Sequence, residues 1–188
     1  MERADQRLCI VAVQELSPFS TCEDESEMAY YFAYGSNLNL HDWRDFCKEH
    51  GHWAQAKLTN GIATQLLDWR LVFNYFSCRR DGLVANIVGS EGDHVPGVVF
   101  EVDDYTLEVL DHKEGVPNAD QRQHITVKRL DEEVAAITYV VPHDRCQREG
   151  QLCPAYLEVI RGGYRDFGLD PVSLESAAHA CCSSVLRD

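Results

Sequence analysis

The stretch YYFAYGSNLNLHDWRD, residues 30–45, sets the frame for the whole chain. Tyr30 to Tyr34 form an aromatic run with strand preference, and Leu38, Trp43 and Phe46 then recur at near-helical spacing. Between them stands Gly35-Ser36-Asn37, so the segment reads as strand, glycine turn and helix. One glycine is too few for a dinucleotide or P-loop cradle, which needs several for close phosphate approach. It is enough to turn a chain sharply and bring consecutive N–H groups toward a small ligand oxygen, with Ser36 and Asn37 adding polar contacts. On geometry alone the turn reads first as a structural strand end, and the ligand-facing role is the alternative.

Working outward, the middle of the chain is rich in strands. WRLVFNYF from Trp69, GLVANIVGS from Gly82 and VPGVVFEV from Val95 are β-branched or aromatic runs separated by the turn-like RRDG and SEGDH. Asp103 or Asp104 suits the N-cap of a short helix, YTLEVLDHKE, which Gly115 terminates. QHITVKRL and AAITYVV follow as two further strands. Pro154 then opens a helix in which Tyr156, Ile160, Tyr164 and Phe167 recur every three or four residues. Gly162 and Gly163 interrupt that helix at about 1 kcal/mol each relative to Ala, a cost that close packing would explain. The expected fold is α+β, a mixed and mostly antiparallel sheet curled toward a small barrel with flanking helices. Residues 1–28 read as an arm or added strand, 29–175 as the domain, and 176–188 as a tail.

Composition narrows the function. With 188 residues and 45% apolar content, the chain supports one domain with a sizeable core. A formal charge of -14 opposes nucleic acid and anionic membrane as partners, because such affinity comes from Lys and Arg displacing counterions. The eight cysteines are scattered and read as reduced thiols. The apolar run Leu8 to Val13 is too short for a signal-peptide core or a membrane span, so a cytoplasmic location is expected. His50 and His52 lack the spacing of a metal site, and no cysteine sits in a local setting that marks a nucleophile. Neither a metal nor a cofactor is expected.

Glu114 is the remaining oddity. A carboxylate in the last turn of a helix meets the negative end of the macrodipole, which costs a few tenths of a kcal/mol and raises its pKa. An ordinary surface glutamate is one reading, and a proton-shuttling group is the other.

In order along the chain, YFAYGSNL, DWRLVFNYFS, GLVANIVGSEGDHVPGVVFEV, LDHKEGVP and CPAYLEVIRGGYRDFGLDP resemble the γ-glutamylcyclotransferase family over roughly residues 30–171. The resemblance implies cyclisation of a γ-glutamyl amide to 5-oxoproline, with release of an amino acid or amine. It assigns Glu114 as general acid/base, Tyr31, Phe32, Ala33, Tyr34, Gly35 and Ser36 as the substrate loop, and Tyr156 as a further substrate contact. The Tyr-Gly-Ser-Asn form is similar to the branch acting on γ-glutamyl amino acids or amines rather than on glutathione.

In that chemistry the substrate brings its own nucleophile, the α-amine. Backbone N–H groups of Gly35 and Ser36 are expected at the γ-carbonyl oxygen, and Tyr34 and Tyr156 at the α-carboxylate. The partner implied is a small γ-glutamyl molecule, with a homodimer left open. This chain departs from the family at Asn118-Ala119-Asp120-Gln121-Arg122, where an aromatic patch is usual, which puts substrate choice in doubt. It departs again at Cys153, where Ser commonly precedes the helix proline. A non-catalytic scaffold on the same fold, or a cyclotransferase for a biosynthetic intermediate or glutathione, are the alternatives.

Overall fold

The computed structural model describes residues 28–147 and 150–185. The expected arm or added strand at 1–28 lies outside them but for Met28. Five strands form one sheet in the order β2-β3-β1-β5-β4. The central strand is β1, Ala29–Ala33, which pairs antiparallel with β3, Gly82–Val102, and parallel with β5, Glu132–Val140. Outside these lie β2, Thr59–Ser77, and β4, Gln121–Arg129. The two outer strands also approach one another. The sheet is therefore curled, as expected.

The helices are α1, Leu40–Glu49; α2, Asp104–Glu114; α3, Pro154–Asp166; and α4, Val172–Val185. Their ends follow local chemistry. Asn39 Oδ1 accepts from the N–H groups of His41 and Asp42 at the start of α1. Asp103 caps α2 through Thr106 N, and Gly115, at φ 69°, ends it in the left-handed conformation. Asp170 Oδ1 accepts from Val172 N at the start of α4. The boundary drawn at residue 175 falls inside α4, so residues 176–185 continue a helix begun in the preceding segment.

The middle strands differ from the expected three. GLVANIVGS and VPGVVFEV are one strand, β3, and SEGDH is a bulge within it. The register steps from Leu67↔His94 to Trp69↔Gly89, so Ser90 to Asp93 have no partners on β2. Asp68, at φ 63°, takes up the kink and accepts a hydrogen bond from Gly92 N. Strand β2 also begins earlier than the aromatic run suggests, at Thr59. The RRDG turn does join β2 to β3.

Beneath the turn at Gly35, Phe32, Leu38, Val98, Val99, Phe100, Leu110 and Ile160 are fully enclosed. Gly163 lets α3 press on the 3₁₀ turn Ser36–Leu38: a β-carbon there would sit 2.4 Å from Leu38 Cβ and 2.6 Å from its carbonyl carbon. Alanine would gain about 1 kcal/mol in helix propensity. Forcing the two elements apart costs more, about 1–3 kcal/mol for ordinary overpacking and towards the upper end where backbone is struck. Gly163→Ala is expected to lower stability by about 1–2 kcal/mol in urea unfolding, and an unchanged midpoint would show that the contact yields freely.

Candidate active site

Strand β1 ends at Ala33, and the chain turns through Tyr34 and Gly35 into the 3₁₀ turn Ser36–Leu38. Across from this turn, α2 ends at Glu114. Asn37 joins the two, since its Nδ2 donates to Glu114 Oε1 at 2.7 Å and to Tyr31 Oη at 2.8 Å. A recess of about 40 Å³ is walled by these residues with Tyr34, Gly35, Asp120, Tyr139 and Tyr156. It shares Ser36, Ala85, Glu114, Asp120 and Tyr156 with a wider cavity of about 310 Å³, whose lining also includes Arg79, Arg80 and Lys113. A larger groove of about 810 Å³ between β2 and α4 contains none of the anticipated residues.

Six of the eight anticipated residues line the recess: Tyr31, Tyr34, Gly35, Ser36, Glu114 and Tyr156. Phe32 and Ala33 do not. Both are fully buried, with the Phe32 ring over Gly97 of β3, where a β-carbon would come within 2.4 Å of the ring. They support the turn from behind. Tyr34 faces the recess, but its hydroxyl proton is committed to the Tyr139 carbonyl at 2.7 Å. Tyr156 Oη accepts from Ala85 N at 3.3 Å and so keeps its own proton to donate. The N–H groups of Gly35 and Ser36 have no acceptor among the described residues.

Charged groups cluster beside the recess. Burial pushes the Asp42 carboxyl up, but Lys113 and Arg80 outweigh it and hold it below its usual range. Arg80 Nη2 donates to both Asp42 oxygens, at 2.8 and 2.9 Å. Lys113, with only 5% of its side chain exposed, reaches Asp42 at 3.2 Å and Ser36 Oγ at 3.4 Å. Within the recess, burial lifts Glu114 above the ordinary carboxylate range, and Lys113, Asn37 and Arg80 only partly offset it. The helix end is where the sequence reading put it, but burial is the main cause of the shift. Burial likewise lifts the phenols of Tyr31, Tyr34 and Tyr156.

Asp120 is the residue that sequence reasoning missed. It is 9% exposed at the end of the α2–β4 loop and lines both compartments. Burial, then the charge of Glu114, pushes its carboxyl up to about 8, with Arg145 pulling the other way. Its only signal in the sequence was negative, an acid where the family resemblance calls for an aromatic ring. His50 and His52, by contrast, are packing residues: His50 stacks on Phe46 at 4.2 Å, and His52 Nδ1 lies 2.8 Å from Tyr105 Oη.

With the geometry in place, the comparisons are direct. The family model for gamma-glutamyl cyclotransferase, AIG2-like, matches residues 31–157, and the chain belongs to this family of enzymes. Over 163 residues it is 29% identical to the gamma-glutamylcyclotransferase of Mus musculus, covering 80% of this chain and 79% of the mouse protein. A solved gamma-glutamyl cyclotransferase superposes with a TM-score of 0.64 at 26% identity, over 80% of this chain and 86% of that one. A short match, 53% identical over 32 residues, links 17% of this chain to 10% of a bifunctional phosphoglucose/phosphomannose isomerase from Aeropyrum pernix. That segment is too small a part of either protein to bear on function. Among the described residues no helix is long and apolar enough to cross a membrane.

Because Asp120 holds its proton more tightly folded than unfolded, the folded state loses stability as pH rises from about 4, the unfolded value, to about 8. Asp120→Asn removes that loss. The variant should gain on the order of a few kcal/mol over wild type between pH 4 and pH 8.5. Parallel stability curves for the two proteins across that range would show that Asp120 is not buried against an unfavourable charge.

Proposed function

We propose that the protein cyclises a γ-glutamyl amide to 5-oxoproline and releases an amino acid or amine. The observation that supports this most is Glu114 facing the Tyr34-Gly35-Ser36 turn across one recess, with Asn37 bonded to the acid. The substrate's α-amine attacks its own γ-carbonyl carbon, so the enzyme holds a folded chain rather than joining two molecules. Well-oriented intramolecular closure is worth effective molarities of about 10⁵–10⁸ M. Proton transfer and charge stabilisation remain for the protein.

Glu114 is suited to the first. The α-amine begins as ammonium and must lose protons to attack, and a buried carboxylate with a raised pKa is a stronger base than one in water. The Gly35 and Ser36 amides suit the second. Aimed at the γ-carbonyl oxygen as it gains charge, each is worth about 3 kcal/mol. Tyr156 keeps an O–H proton for the glutamyl α-carboxylate, whereas Tyr34 serves as wall.

The leaving group occupies the wider cavity. Its volume of about 310 Å³ is that of a small-molecule site, and Arg79, Arg80 and Lys113 along one wall, three cations against the two carboxylates of Glu49 and Asp42 that pair with them, favour a departing amino acid, which carries a carboxylate, over a cationic amine. A γ-glutamyl amino acid is therefore the substrate class we assign. A panel of γ-glutamyl amino acids, γ-glutamyl amines and glutathione, read by 5-oxoproline release, tests the choice. Glu114→Gln should reduce turnover by about 10²–10⁴-fold with folding intact; a fully active variant would sink the assignment.

Gly35→Ala tests the turn. Its β-carbon would lie 3.6 Å from Tyr156 Oη and 3.8 Å from Ala85 Cβ, both ordinary contacts, so the folded protein accommodates it. The methyl would project among residues of the recess. We expect stability within about 0.5 kcal/mol of wild type and kcat/KM reduced by at least about tenfold, equivalent to 1.4 kcal/mol of transition-state binding. Unchanged turnover would mean the turn is only structural.

A further inference from the structure

Two carboxyl groups face the recess, and their surroundings are unequal. Glu114 has a donor, Asn37 Nδ2, and lies near Lys113 and Arg80, all of which favour its charged form. Asp120, at 9% exposure, accepts no hydrogen bond among the described residues. Facing it are Glu114 from α2, Tyr31 and Tyr34 from β1 and its turn, Tyr156 from α3, and Arg145 from the 3₁₀ turn His143–Arg145 after β5. Arg145 directs Nη1 at the carbonyls of Pro117 and Ala119, at 2.7 and 3.1 Å.

Two neighbouring buried carboxyls do not both ionise readily, so the pair retains one proton over a wide pH range. The donors decide where it rests. A hydrogen-bond donor and two cations favour the anion at Glu114, against Arg145 alone at Asp120, which leaves the proton on Asp120. At neutral pH Asp120 is then a carboxylic acid with an O–H available, its carboxyl lifted to about 8 by burial and by Glu114. Environments that push two carboxyls apart in this way create an acid and a base.

We propose that Asp120 is the general acid of the reaction, protonating the departing nitrogen while Glu114 accepts the proton of the attacking amine. This rests on the cyclotransferase reading and divides between two residues the transfers otherwise given to Glu114 alone. Position supports the division. Asp120 lines both the recess, whose volume of about 40 Å³ suits one small polar group such as the α-amine, and the cavity of about 310 Å³ that would take the rest of the substrate. A γ-glutamyl amide with its α-amine toward the recess would set its scissile bond along the wall that the two share.

The protons balance. The α-ammonium loses one proton to solvent. As the amine nitrogen bonds to the γ-carbon, a second proton passes to Glu114. The bond from that carbon to the leaving nitrogen breaks, and the nitrogen takes the Asp120 proton. Transfer from Glu114 to Asp120 then restores the pair, and the released amine takes its last proton from water.

Leaving groups of different basicity test this. A γ-glutamyl alkylamide must have its nitrogen protonated to depart, whereas a γ-glutamyl p-nitroanilide hardly needs it. Asp120→Asn should lose about 10²-fold or more in kcat on the alkylamide and less than about tenfold on the anilide, while Glu114→Gln loses both. For the wild type, the ratio of kcat/KM on the alkylamide to kcat/KM on the anilide should fall above about pH 8, because deprotonation of the substrate's α-ammonium affects both substrates alike and cancels in the ratio. This second comparison needs no variant to fold. Equal losses of Asp120→Asn on both substrates, or no loss on the alkylamide, overturn the proposal and leave the cyclotransferase reading standing. A wild type inert on every γ-glutamyl amide overturns both.

Discussion

The hydrogen bond from Asn37 Nδ2 to Glu114 Oε1 is the constraint on which the site depends. It ties a turn that begins at the central strand to a helix end far away in sequence, and the same nitrogen also holds Tyr31 Oη. One residue on either side, Lys113 reaches Ser36 and Asp42, so turn and helix are joined twice. A hydrogen bond to a charged partner contributes about 1.5–3 kcal/mol, which offsets part of the lift that burial gives the Glu114 carboxyl. The arrangement thus sets geometry and protonation together.

The rest of the scaffold aims this cross-link. Strand β1 is paired on both edges, antiparallel to β3 and parallel to β5, so its end cannot shift without disturbing the middle of the sheet. Phe32 and Ala33 belong to that role: they take no part in lining the recess, but with Gly97 beneath them they fix the height at which Tyr34 and Gly35 emerge. Helix α3 approaches from the other side, and the absent side chain at Gly163 lets it come close enough to bring Tyr156 against Ala85 N. Packing and the lining of the recess are therefore divided between neighbouring residues, Phe32 and Ala33 behind and Tyr34 and Gly35 in front.

Legibility in the sequence followed the range of the forces involved. The caps of α2, its left-handed Gly115 and the proline start of α3 are local, and each was read from two or three residues. The unity of β3 was hidden, because Ser90 to Asp93 carry turn chemistry and only the pairing of Leu67 with His94 and Trp69 with Gly89 shows them to be a bulge. Helix α4 offered a fainter signal in Leu174, Ala178 and Cys181, which are buried at helical spacing but small and set among Ser, Ala and His. Asp120 was beyond reach. Nothing around it in sequence separates a surface loop acid from a buried one; what separates them is Glu114, Tyr34 and Tyr156, brought together by three different elements.

The charge of the chain takes on a different meaning at the site. A formal charge of -14 disfavours an anionic substrate at long range, but the Debye length at physiological ionic strength is about 8 Å. Beyond that distance most of those carboxylates are screened. Within it, Arg79, Arg80 and Lys113 stand on one wall and the Glu114–Asp120 pair on another. With one proton kept by that pair, as proposed, the enclosed acids contribute closer to one negative charge than two, which the one positive charge that Arg79, Arg80 and Lys113 retain beyond their partners Glu49 and Asp42 can balance. A protein can thus be strongly acidic overall and still present a cavity suited to a carboxylate-bearing ligand. In this one, the shared proton that maintains the local balance is also the proton the leaving group would need.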